Sequence, residues 1–293
     1  MQNKITALVT VYQPDKSIVN NIENIAQQVN RVIVCDNSEE DHEELFLAIS
    51  RTIYITQHKN LGLPGAFNLA LRDCTLNWRP EEFIVFFDQD SQIKDGHVKG
   101  LIHSYYKVEK HFPKIGCMGP VFYNTSNHTV EVPRIKTRLV GKNYKVDNVI
   151  TSSMLTRYRN IEKINFWNDN LFLDFADWDL CWRLEKAGMM CVITEEVVLH
   201  HSVGSGEKKV GPIHLRVGAP FREYYQTRDV YYLLKESYIP LKMRLRLLAN
   251  VTIRPVVHSL FLENKEERKK YRIMGKKDYK NAVKGEIPNN NNS

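Results

Sequence analysis

The chain has 293 residues, 43% of them hydrophobic and 26% charged, the mixture of an ordinary globular protein with one large domain or one domain plus an appendage. Its five cysteines (Cys35, Cys74, Cys117, Cys181 and Cys191) are odd in number and include no CxxC pair, which argues against a disulfide framework or a zinc site and for reduced thiols. Thirteen Lys/Arg against five Asp/Glu between Leu241 and Ser293 give that stretch +8 of the net +7, so residues 1–240 sit near −1 and the body lacks the positive field of a nucleic-acid enzyme.

Ile5–Val11 is a short β-branched apolar run ending at Tyr12-Gln13-Pro14, the pattern of a buried strand followed by a loop. It is too short for a signal core and lacks a cleavage site, so no secretory leader is expected. Ile18–Val29 carries apolar residues at helical spacing, and Arg31–Cys35 predicts a second buried strand that stops at Asp36-Asn37-Ser38. A helix-like stretch around Glu43–Ile49 precedes a third strand, Thr52–Thr56. The turn-rich His58–Gly65 then feeds a helix from about Ala66 to Arg72. Glu82–Phe87 predicts another buried strand, ending in Asp88-Gln89-Asp90-Ser91. Near-continuous apolar strands alternating with helices imply a mostly parallel sheet covered on both faces. In such sheets ligands bind beyond the carboxyl ends of the strands, where these polar clusters fall.

From Ile115 to about Ile150 the pattern is strand and loop, an antiparallel continuation of the sheet. Ala176–Ala187 is helical and closes at Gly188. Met189–Ile193 predicts a strand leading to His200-His201, and beyond Pro220 the chain is helical, with Pro240 and Pro255 as break points. No apolar stretch reaches the roughly 20 residues of a membrane span. The basic segment, with Lys242, Arg244, Arg246 and Arg254 among apolar residues, fits an anionic membrane surface, or a helix pair for self-association into a homo-oligomer.

Asp88 and Asp90, two positions apart at a strand end, would aim hard oxygen ligands at Mg²⁺ or Mn²⁺ bound to a diphosphate; a solvated turn explains them equally well. Asp36, ending its strand in the same way with Thr10 and Tyr12 in the adjacent loop, would accept an imide N–H of a uracil or thymine base, or close an Asx turn. Asn60-x-Gly62-x-x-Gly65-x-x-Asn68 permits close backbone approach without matching a known phosphate loop. Asp177 stands where a helical periodicity begins. It would serve as an N-cap, or as a base whose ionised form a helix N-terminus favours. Asp179 and Arg183 are placed for an i, i+4 ion pair. His201 after a strand would complete a metal or diphosphate site, and Arg222, Tyr225 and Arg228 lie at helical spacing to grip phosphate.

In order along the chain, Val9-Thr-Val-Tyr12, Val34-Cys-Asp-Asn-Ser38, Asn60–Asn68, Phe86-Phe-Asp-Gln-Asp-Ser91, Asp174–Arg183 and His201-Ser-Val-Gly204 resemble the family-2-type inverting glycosyltransferases of the GT-A fold. Within them, Phe-Asp-Gln-Asp-Ser resembles the rhamnosyltransferases of bacterial surface-polysaccharide synthesis. The resemblance implies an α/β fold with a Rossmann-like, mostly parallel sheet flanked by helices. Residues 1–225 would form the transferase domain, its nucleotide-sugar half about 1–115 and its acceptor half about 116–225. Residues 226–293 would form a helical basic extension.

It implies a nucleotide-diphosphate sugar donor, dTDP-L-rhamnose, and a saccharide or polyprenyl-linked acceptor, with UDP-galactofuranose or UDP-hexose as alternative donors. By the same resemblance Asp36 reads the base, Asp88 serves ribose and metal, and Asp90 and His201 join the metal. Thr10, Tyr12, Asn60, Gly65, Arg222 and Arg228 line the nucleotide, and Val149–Leu155 lies on the acceptor side. Asp177 is the base, with Asp174 and Asp179 as alternatives because Ala176 replaces the family's Glu. Asp229, where relatives carry Asn, departs from the pattern beside Arg228. The implied location is cytoplasmic, peripheral at the inner face of the membrane. A sugar-phosphate nucleotidyltransferase, also α/β, would need a glycine-rich basic loop where Tyr12-Gln-Pro-Asp15 stands. No nucleic-acid partner is expected.

Overall fold

A computed structural model describes residues 4–124, 129–133, 136–201, 206–210 and 213–288, with the backbone alone at 124, 200–201, 206–210 and 213–217. The first half alternates strand and helix: β1 (Ile5–Val11), α1 (Val19–Ala26), β2 (Arg31–Asp36), β3 (Thr52–Thr56), α2 (Gly62–Leu71), β4 (Phe83–Asp88) and α3 (His97–Glu109). The second half begins with β5 (Ile115–Asn124), β6 (Thr129–Glu131), β7 (Thr137–Arg138), β8 (Asn143–Val146) and β9 (Met154–Arg157). It continues through α4 (Tyr158–Lys163), α5 (Ala176–Lys186), β10 (Met190–His201) and a hairpin of β11 (Gly206–Val210) with β12 (Ile213–Val217). Three helices follow: α6 (Arg222–Leu233), α7 (Leu241–Phe261) and α8 (Lys265–Lys280).

The sheet runs β3-β2-β1-β4-β9-β5-β10-β8-β7, with β6 beside β5. β1 to β4 are mutually parallel wherever they pair, β9 opposes both β4 and β5, and β10 runs parallel to β5. The strands are apolar on both sides because both faces are covered. Ala7, Val9, Val85 and Phe87 meet α1 and α3, whereas Leu8, Ile84 and Phe86 meet α2 and α5.

Several elements differ from the sequence expectation for local reasons. The Glu43–Ile49 stretch forms one short 3₁₀ turn, Glu43–Leu45. The helix expected from Ala66 begins at Gly62, because Pro64 suits a first helical turn and Gly62 takes φ +71°. Pro255 does not break α7, which runs unbroken to Phe261 and is anchored by buried Met243, Leu247 and His258. The expected division at residue 225 falls inside α6. Thr6 and Arg31 meet buried Glu82 below the sheet, away from the strand ends that matter for ligands.

α6, α7 and α8 are held together by one buried carboxylate. Glu223 accepts from His258 Nδ1 at 2.5 Å, Arg268 at 3.4 Å and Arg272 at 3.2 Å. Burial opposes its ionisation, but His258 and Arg272 outweigh that and hold the carboxyl down at about 2. Removing the carboxylate would leave two arginines and the His258 ring without their shared acceptor, so Glu223→Ala is expected to lower the unfolding free energy by about 3–5 kcal/mol in urea titrations at neutral pH. Because the folded pKa is depressed, this stabilisation is present above the ordinary value of 4.5 and drains away as pH falls toward 2. A loss below about 1 kcal/mol would mean that the three helices do not depend on this pair.

Candidate active site

β1, β2 and β3 step outward to one side of the sheet, and β4 starts on the other side of β1, so the order reverses between β1 and β4. Such a switch point opens a crevice at the strands' carboxyl ends. Three of the expected segments converge there by register alone, since Thr10 pairs with Asp88 and Val11 with Asp36. The turn after β4 is closed by Ser91, whose N–H donates to the Asp88 carbonyl at 3.0 Å and whose hydroxyl accepts the Asp88 N–H at 3.1 Å. Gln89 ties this turn to the first loop by accepting the Tyr12 N–H at 2.8 Å.

The Asp174–Arg183 segment reaches the same crevice by docking on the start of α2. The Leu63 N–H donates to the Phe172 carbonyl at 2.8 Å, and a Cβ on Gly62 would lie 2.3 Å from that oxygen, so only glycine fits. Asn68 clamps the approach: its amide donates to Trp167 O at 3.0 Å and to Asp169, and its carbonyl accepts the Trp167 N–H at 3.0 Å. Asp229 accepts the Phe172 N–H at 2.9 Å.

The carboxylates of this segment divide sharply by partner. Asp174 takes Arg222 at 2.6 Å. Asp179, fully buried, takes Arg183 at 2.7 Å and the Tyr238 hydroxyl. Asp177 has no side-chain partner among the described residues; one oxygen accepts the Trp178 N–H at 2.8 Å. Burial, the Cys181 sulfur and the carboxylates of Asp88 and Asp174 push the Asp177 carboxyl up to about 7 against that hydrogen bond. Asp88 is therefore within electrostatic reach of Asp177, on a different element, and accepts from the Ser152 hydroxyl in the Val149–Leu155 stretch.

Two chambers open onto the crevice. One, of about 450 Å³, is lined by Thr10, Asp88, Gln89, Gly62, Phe172 and Tyr225 among others. The second, of about 390 Å³, lies over Ser38, Glu39 and His42. Tyr12, Asn60 and Glu286 belong to both and form the neck between them.

Other expected site residues are engaged elsewhere. Asp36 is 1% exposed, and its oxygens already accept from Ser38 N–H, the Tyr54 hydroxyl and His42 Nδ1 at 2.8–2.9 Å; it shapes the loop and orients His42 instead of facing a chamber. Gly65 lies within α2 and lines a separate cavity with Arg72 and Asp169. Arg228 is fully buried, paired with Asp229 at 2.8 Å and donating to the Gly285 carbonyl at 2.6 Å. His201 ends β10 beside Asn124, and its side chain lies outside the described residues.

Asp88, half-buried and oriented by Ser152, and Asp90, exposed, offer hard carboxylate oxygens suited to Mg²⁺ or Mn²⁺. The group of three His, Cys, Asp or Glu ligand atoms close enough to share an ion, among the described residues, is Cys117, Cys181 and Cys191. These are soft, fully buried free thiols packed within the aliphatic core.

The family model of glycosyl transferase family 2 matches residues 6–164. The chain belongs to that family. It is 26% identical over 297 residues to the dTDP-rhamnosyl transferase RfbF of Shigella flexneri, an alignment covering 97% of this chain and 98% of the relative. Among solved structures it is similar to S. aureus TarS 1–349 (TM-score 0.51, 14% identity, 94% of this chain and 80% of that one). It is also similar to GalNAc-T7 with UDP, GalNAc and Mn²⁺ (TM-score 0.54, 7% identity, 85% of this chain), of whose length the match spans 54%. These likenesses carry the GT-A fold, and family membership makes the chain a glycosyltransferase.

The residues this glycosyltransferase uses to build its cleft include three that sequence reasoning passed over as site residues: Gly62, Gln89 and Glu286. Gly62 and Gln89 lie inside quoted motifs, whereas nothing local marks Glu286, 58 positions beyond Arg228. Asp177 carries the pH prediction. In the role of base that the sequence resemblance implies, Asp177 must be ionised, so kcat/KM is expected to fall about tenfold per pH unit below pH 7, and Asp177→Asn to abolish transfer. Because the folded pKa is raised from 3.8, the wild type loses stability relative to the Asp177→Asn variant as pH rises from about 4 to 7. A flat activity profile down to pH 5, or an Asp177→Asn protein less stable than wild type at pH 8, would contradict this.

Proposed function

We propose that the chain transfers L-rhamnose from dTDP-L-rhamnose, with inversion, onto a hydroxyl of a saccharide or polyprenyl-linked acceptor in cell-surface polysaccharide synthesis. The observation that carries the mechanism is Asp177, a carboxylate with no side-chain partner among the described residues, pushed up to about 7 by burial and by neighbours that include the Asp88 carboxylate. The near-full-length likeness to a dTDP-rhamnosyl transferase supports the donor. Asp177 accepts the acceptor hydroxyl's proton as that oxygen bonds to the anomeric carbon. The carbon–oxygen bond to the diphosphate breaks, and its electron pair leaves with dTDP. Asp174 and Asp179, neutralised by Arg222 and Arg183, keep α5 in place while Asp177 does the proton transfer. A divalent cation, Mg²⁺ or Mn²⁺, held by Asp88 and Asp90 would neutralise charge on the leaving diphosphate, the role an acid serves in a glycosidase. Thr10 and Tyr12 line the nucleotide path, and His42, held by Asp36, lines the base side.

Thermal-shift titrations with dTDP, UDP and GDP, each with and without Mn²⁺, test the donor. Stabilisation by dTDP that needs the metal and disappears in Asp90→Ala is expected. A shift with UDP alone would overturn the rhamnosyl reading, and no nucleotide-dependent shift would overturn the donor site.

Peripheral attachment to an anionic membrane belongs to the same reading. No described helix is long and apolar enough to cross a bilayer. Along α7, however, Leu241, Leu245, Leu248, Val256 and Leu260 are exposed by 42–74% and recur at helical spacing. Lys242 and Arg244 flank the stripe, and the basic α8 lies beside it. Flotation with vesicles containing phosphatidylglycerol is expected for the wild type and lost when Leu241, Leu245 and Leu248 are changed to Gln. Equal flotation of both proteins sinks the membrane contact.

A further inference from the structure

After α8 the chain turns back over the cleft and is latched along its length. Tyr232 donates to the Val283 carbonyl at 3.0 Å, buried Arg228 to Gly285 O at 2.6 Å, and the Ile287 N–H to the Tyr225 hydroxyl at 2.9 Å. This strap puts Glu286 in the neck between the two chambers, where Asn60 Nδ2 donates to one of its oxygens at 3.2 Å. The other oxygen has no partner among the described residues. Burial and the Glu39 carboxylate push the Glu286 carboxyl up, with Asn60 and Lys59 opposing. The ring of Tyr12, the third residue of the neck, is itself under the influence of Glu286.

We propose that Glu286, presented by the 281–288 strap, completes the donor site and recognises the nucleoside of the sugar nucleotide by accepting a hydrogen bond from a ribose hydroxyl or a base N–H. A carboxylate accepts and does not donate, so its preferred ligand group is a hydroxyl or ring N–H and not a phosphate oxygen. Asp36, 1% exposed and accepting from Ser38, His42 and Tyr54, lines neither chamber, whereas Glu286 lines both. The strap is held from within by the residue expected to grip diphosphate. Arg228 joins Gly285 to Asp229, and Asp229 holds Phe172 in the segment that carries Asp177. Donor recognition and base placement thus share one buried ion pair.

The inference rests on the donor-site reading above, and the test separates the two. Calorimetric titration of the full chain with dTDP and with inorganic pyrophosphate, both in Mn²⁺, is run on wild type, Glu286→Ala and Glu286→Gln. Glu286→Ala is expected to weaken dTDP by at least about tenfold, the scale of a lost hydrogen bond to a charged group, while leaving pyrophosphate and the melting temperature unchanged. Glu286→Gln, which keeps one acceptor oxygen, should fall between. In turnover the loss should enter KM for the donor with kcat preserved. With a 3′-deoxy analogue of dTDP, equal binding by wild type and Glu286→Ala assigns the contact to the ribose hydroxyl, and a preserved difference assigns it to the base; both agree with the proposal. Unchanged or tighter dTDP binding in Glu286→Ala would overturn it, as would a parallel loss of pyrophosphate. A wild type that binds no nucleotide would instead remove the donor-site reading itself.

Discussion

The site depends on a backbone contact that tolerates no side chain. Gly62 lies against the Phe172 carbonyl, its positive φ lets the next N–H bond that same oxygen, and any Cβ would overlap it. Through this contact and the Asn68 clamp, the segment before α5 is fastened to α2, and Asp177 comes within electrostatic reach of Asp88. Without it, Asp177 and Asp88 would belong to separate parts of the molecule, because the sheet alone brings together only the ends of β1, β2 and β4.

Carboxylates crowd the region, and pairing sorts them. Asp174, Asp179 and Glu223 each face an arginine and Asp36 faces a histidine, whereas Asp229, though paired with Arg228, is still pushed up to about 6 by burial. Asp177 has no cationic partner among the described residues. Its neighbours then raise its pKa toward neutrality, the range in which a base can both hold and release a proton near physiological pH. The same sorting separates Arg228 from phosphate binding: a guanidinium enclosed by Asp229, Gly285 and two tyrosine rings is a structural tie.

Much of the donor half is legible along the chain because its signals are local. Apolar β-branched strands, two of them ending in Asp-containing turns at Asp36 and Asp88, announce a parallel sheet with polar groups at one edge. Where expectation and structure part, a local pattern has two physical uses. Asn60–Asn68 has the glycines of an approach to phosphate, yet Gly62 and Asn68 mainly receive the 167–173 segment. Asp36 has the spacing of a base reader and commits its oxygens to its own loop. Pro255 carries a break signal that packing of α7 overrides.

What the sequence determined by itself was the alternation of strands and helices, the two acidic turns at Asp36 and Asp88, and the candidate trio Asp174, Asp177 and Asp179, since each follows from side-chain chemistry within a few residues. The tertiary structure decided which of the three stays without a partner, that Arg228 faces inward, and that Glu286 returns from far along the chain to the neck of the cleft. The Asp179–Arg183 and Arg228–Asp229 pairs are local, but Asp174–Arg222, Arg228–Gly285 and Asn60–Glu286 join residues 48 to 226 positions apart, and no periodicity or spacing along one chain encodes such distances.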